Sequence, residues 1–76
     1  MTLDEFVSAF AAEFDETPED QFKADTEFKS LEEWSSLTAL SIIAMIDDEY
    51  DVTIKGDDIR NSETIEDLFN LVKSKA

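Results

Sequence analysis

Leu3, Phe6, Val7, Phe10 and Phe14 recur at steps of three and four residues, the spacing of one helical face. Thr2 and Glu5 stand before them in capping-box spacing, so a first helix is expected from about Leu3 to about Phe14. Asp15 to Trp34 then reads as a long acidic loop carrying the only proline, Pro18. Twenty such residues fit a compact domain only if the loop is functional or packed down. Phe22, Phe28, Leu31 and Trp34 are spaced as anchors that would pin it, and Pro18 suits the first position of a short helical turn reaching Phe22. A second helix is expected over Ser36 to Tyr50, with Ser35 as its N-cap. Ala39, Ile42, Ile43, Ile46 and Tyr50 fall on one side of it; Leu37, Ser41, Ala44 and Asp48 fall on the other. Such a helix is too apolar for a simple surface position. Either it sits centrally or its second stripe meets a partner.

Val52-Thr53-Ile54 alternates like a strand but is too short to form a sheet alone. Gly56 follows, with a turn-length acidic piece, Asp57 to Arg60. The last helix is expected after Thr64, with Asp67 three residues on, an apolar face of Ile65, Leu68, Phe69 and Val72, and Lys73 and Lys75 at its C-terminal end. The expected architecture is all-α: a small bundle of three main helices and a short fourth, with a long first loop, in one domain over residues 1–76. One glycine and one proline argue against sheets with tight turns.

Composition narrows the function. A 76-residue domain buries only about 60% of its unfolded surface. With no cysteine and no histidine, neither a disulfide nor a Cys/His metal site staples this one. The net charge is −14, from 20 acids against 6 cations. That sign disfavours nucleic acid and anionic membranes, and it favours a partner with a basic surface met in fast, salt-sensitive encounters. It also serves solubility. The N-terminus has no basic stretch and no long apolar run, so neither a signal peptide nor a membrane span is expected, and a cytoplasmic location is. The acidic run from Asp47 to Asp58 fails as an EF-hand. With Gly56 as the sixth residue the loop would start at Asp51 and place Thr53, Lys55 and Ser62 at positions three, five and twelve.

Glu33-Trp34-Ser35-Ser36-Leu37 holds the candidate chemistry. Ser36 cannot be a triad nucleophile, because no imidazole is present to take its proton. It stands near a helix N-terminus, where free N–H groups and the dipole favour a phosphate. Local sequence supports two readings: Ser35 and Ser36 only cap the helix, or Ser36 is a covalent attachment point served by other proteins.

Trp34-Ser35-Ser36-Leu37, followed by an amphipathic helix and the run Asp47-Asp48-Glu49-Tyr50-Asp51-Val52-Thr53-Ile54, resembles the acyl carrier protein family. Asp25-Thr26-Glu27-Phe28-Lys29 is similar to that family's first loop, and Thr64-Ile65-Glu66-Asp67-Leu68 to the start of its last helix. The resemblance spans nearly the whole chain. It implies a non-catalytic carrier that bears 4′-phosphopantetheine on Ser36 and holds acyl groups as thioesters for fatty-acid, polyketide or related biosynthesis. The implied partners are a phosphopantetheinyl transferase and acyl-chain synthases or transferases with basic docking surfaces; a monomer is expected. Serine replaces the family's aspartate at Ser35, keeping a cap but losing a charge, and Thr38 and Ser41 stand where acids are frequent.

Leu37, Ser41, Ala44 and Met45, rimmed by Asp47, Asp48, Asp57 and Asp58, are the expected docking surface. Met45 is equally suited to fill the core. Leu40, Ile43, Ile54 and Ile59 are the expected borders of an acyl cleft, although each also reads as ordinary core. The alternative function, from a different class, is an unmodified acidic adaptor that binds a basic protein through the second helix.

Overall fold

Capping residues set the helix starts. A computed structural model describes residues 2–76. Helix α1 runs Leu3–Ala11 behind the Thr2 cap, whose Oγ1 accepts from Glu5 N at 3.2 Å while Glu5 Oε1 accepts from Thr2 N at 3.1 Å. Helix α2 runs Ser36–Tyr50, α3 Gly56–Arg60 and α4 Ile65–Lys75. Thr64 caps α4, its Oγ1 accepting from Asp67 N at 3.1 Å, and Asp67 Oδ2 accepts in return from Thr64 N at 3.1 Å. These reciprocal bonds satisfy amides that a helix start leaves free. No strand forms among the described residues, and the fold is the expected all-α bundle.

One helix boundary differs from expectation. Helix α1 stops at Ala11 rather than Phe14, because the chain tightens into shorter-range bonds, Glu13 N to Phe10 O at 3.2 Å and Phe14 N to Ala11 O at 3.0 Å. The apolar spacing persisted because Phe14 remains buried, with its ring 4.8 Å from that of Phe22. Val52-Thr53-Ile54 pairs with no other segment among the described residues, as its length led one to expect. It keeps the alternation of an extended segment, Val52 and Ile54 inward and Thr53 outward. Asp51 redirects the chain into it from a left-handed conformation, φ 56° and ψ 39°, with its N–H on Asp47 O at 3.0 Å.

The first loop is packed down. It contains 3-10 turns at Glu19–Gln21 and Phe28–Ser30. Phe22 and Phe28 are buried, and Leu31 and Trp34 pack partly buried against the core. All six phenylalanines, the tryptophan and the tyrosine join one contact network. Phe10 sits at its centre, edge-on to Phe28 at 5.3 Å and parallel to Trp34 at 6.5 Å. Aromatic pairs at these separations add to the burial term, which helps a chain this small hold a core without staples. The loop also caps α4 from outside: the carbonyls of Thr26 and Ala24 accept from Ile65 N at 3.2 Å and Glu66 N at 2.9 Å.

Candidate functional site

Ser36 is the first residue of α2 and is exposed. Capping falls to its neighbour: Ser35 Oγ accepts from Thr38 N at 3.2 Å, and Thr38 Oγ1 donates to the Glu33 carbonyl at 3.1 Å. Among the described residues the side-chain hydrogen bonds at this helix start are made by Ser35 and Thr38, not by Ser36. The first turn of α2 carries no acid, in contrast to the first turns of α1, α3 and α4. Its N-terminal dipole is therefore not neutralised locally.

An open groove of about 540 Å³ runs from Ser35 and Ser36 between α2 and α3. Ala39, Leu40 and Ile43 of α2 line one wall, and Gly56, Ile59 and Arg60 of α3 the other. Trp34 and Lys29 close the end near the 3-10 turn. Three residues expected at a cleft, Leu40, Ile43 and Ile59, thus meet here. The fourth does not: Ile54 is 2% exposed and lies in the core, turned inward by the alternation of its extended segment.

The outer face of α2 presents Leu37, 74% exposed, and Leu40, 62% exposed, with Ala44 in line below them. Asp47 and Asp48 follow, both exposed. Met45, expected on this face, instead packs into the core at 7% exposure, because its place on the helix falls beside Ile42 and Ile46. Ser41 is half-buried, its Oγ donating to Leu37 O at 3.3 Å. Asp57 is exposed and ion-paired with Arg60. Asp58 is half-buried and acts as a cap, with Oδ2 accepting from Lys55 N at 2.9 Å.

Sequence reasoning missed four features of this site. Lys29, Gly56 and Arg60 line the groove, and Glu33 fixes the chain that enters it. The Glu33 carboxylate accepts from the backbone N–H groups of Asp15, Glu16 and Thr17 at 2.8, 3.0 and 2.9 Å, and from Thr17 Oγ1 at 2.7 Å. The Thr17 hydroxyl, chiefly, holds this carboxyl below the usual range; partial burial opposes it and the backbone donors reinforce it. One signal for the cations was available. Lys29 follows the anchor Phe28 and Arg60 follows Ile59, so each emerges at the rim of a packed element.

An exposed hydroxyl at a helix N-terminus with no acid in its first turn, opening onto an apolar groove that Lys29 and Arg60 help to line, fits a phosphodiester-linked arm. A sequence model described as "Phosphopantetheine attachment site" matches residues 5–72. The chain belongs to that family, whose members carry 4′-phosphopantetheine covalently on a serine, and the acyl-carrier resemblance holds. As a carrier domain it is of a kind that is generally non-catalytic and that interacts with synthases and transferases. No curated protein and no solved structure matched the sequence. Among the described residues no helix is long and apolar enough to cross a membrane.

Proposed function

We propose that this chain is an acyl carrier whose arm is attached at Ser36 and which passes acyl groups between enzymes of fatty-acid, polyketide or related biosynthesis. The observation that carries the reading is the position of Ser36, exposed at the start of α2 and on the edge of an apolar groove. When bound, the arm supplies the acyl-bearing thiol that a chain without cysteine lacks. The protein's own residues present and shelter. Ser35 holds the helix start so that Ser36 stays free. Leu40, Ile43 and Ile59 offer the cargo an apolar wall. Leu37, Leu40 and Ala44 form an apolar ridge with Asp47 and Asp48 at its foot, suited to a partner with an apolar patch inside a basic rim.

Intact mass after incubation with coenzyme A, magnesium and a broad-specificity phosphopantetheinyl transferase tests the assignment. A single adduct on the wild type, absent from Ser36→Ala, is expected. Circular dichroism of Ser36→Ala should be that of the wild type, because the cap belongs to Ser35. An adduct that persists in Ser36→Ala would move the site. No adduct here, and none on protein from the native host, would favour the unmodified adaptor, which the uncharged Ser35, Thr38 and Ser41 allow.

A further inference from the structure

Two of the six cations in this chain, Lys29 and Arg60, line the groove beside Ser36. Buried neighbours hold both: Phe28 and Ile59 are core residues. They are also fixed to one another. Lys29 Nζ donates to the Arg60 carbonyl oxygen at 2.8 Å, joining the 3-10 turn to the end of α3 across 31 residues of sequence. That bond occupies one of three ammonium donors. Arg60 pairs through Nη2 with Asp57, which leaves further guanidinium N–H groups. Its Nη1 lies 3.6 Å from where a Cβ would stand on Gly56, so the guanidinium folds back over the start of α3 and the groove wall. Elsewhere the chain repels anions, at a net charge of −14. The lining of this groove combines two cations with a helix start that has no acid in its first turn.

We infer that Lys29 and Arg60 form an anion-holding lip on the groove, which retains an anionic oxygen group borne through Ser36. That group is either the phosphodiester of the arm or a carboxylate on its cargo. A lysine ammonium and an arginine fork both bind such oxygens, the fork in two parallel contacts. If the carboxylate is the ligand, the lip makes the groove selective for acidic acyl groups over neutral ones of equal length. The inference rests on Ser36 being the attachment point.

Arg60 is the only arginine, so its Nε–Hε resonance in nitrogen-15 NMR is unique. Four forms of the whole chain are compared: unmodified, phosphopantetheinylated, butyryl-loaded and succinyl-loaded, each verified by intact mass. A displacement on phosphopantetheinylation that persists in both loaded forms identifies the phosphodiester. A displacement in the succinyl form alone identifies a carboxylate. Either should shrink between about 20 mM and about 500 mM salt, as an exposed ionic contact must. An unmoved resonance in every form, a displacement with butyryl alone, or one indifferent to salt would overturn the lip. An adduct that persists in Ser36→Ala, or its absence both in vitro and on protein from the native host, would overturn the Ser36 assignment, and the lip with it, and would be seen by mass before any spectrum was recorded.

Discussion

Gly56→Ala should stabilise this protein. Gly56 is the only glycine, it opens α3, and its φ is not in the left-handed region, so no backbone requirement reserves the position. A Cβ built there meets Arg60 Nη1 at 3.6 Å, ordinary contact with the end of a flexible side chain. Nothing in the folded state opposes the methyl. In the unfolded chain it removes conformations that glycine alone can visit. A gain of about 0.4–1 kcal/mol is usual at compatible sites. The first position of a short helix should fall at the lower end, about 0.5 kcal/mol, or about 2–4 °C in melting temperature for a domain of this length. Circular dichroism melts of the unmodified wild type and variant, run in parallel, measure it. A melting temperature that fell would refute the reasoning, since it would mean that Gly56 occupies a conformation or contact that excludes a side chain. The same methyl narrows the groove, so a stabilised variant that accepts long acyl chains less well is the expected pairing.

Phe28→Ala removes a fully buried ring packed against Phe10 and Trp34 and should cost about 3–5 kcal/mol, read from urea unfolding. For a domain of this size that is a large part of the total, and the variant should be substantially unfolded at 37 °C. Glu33→Gln should destabilise at neutral pH, with a pH dependence set by the lowered carboxyl pKa. The advantage of wild type over variant should be full above the unfolded glutamate value, about 4.3, and vanish as pH falls through the folded value. Paired urea titrations between neutral pH and pH 3 follow it, and a constant difference would remove the carboxylate as its source. Asp47→Lys with Asp48→Lys should slow association with the modifying transferase and flatten its salt dependence in stopped-flow measurements.

Helix positions were readable in advance where a cap and an apolar period agreed. Ser35 before α2 and Thr64 with Asp67 at α4 are such cases, and both starts fell where the caps placed them. The end of α1 was not readable, because Phe14 stays buried whether the chain continues as helix or tightens, so periodicity cannot tell the two apart. Met45 was ambiguous for a related reason. It lies between the buried and exposed stripes of α2, and only the packing of the rest decided that it turns inward. Contacts made by residues far apart in sequence left no local trace. Glu33 with Asp15–Thr17, Lys29 with Arg60, and the loop carbonyls on α4 are all of this kind. One acid among twenty gives no sign that it is the one bonded across the first loop.

Asp51 shows how different those twenty acids are as targets of mutational drift. Asp47, Asp48 and Glu49 are exposed on helical backbone, where most polar residues are acceptable and only the electrostatic character of the surface is at stake. Asp51 belongs to the same acidic run by eye, yet its backbone is left-handed. Glycine and asparagine tolerate that conformation as aspartate does, while valine or isoleucine would strain it. Substitutions accumulating at this position should therefore sort by shape and ignore charge. An uncharged glycine should be accepted there more readily than a glutamate, although glutamate alone would preserve the acidity of the run.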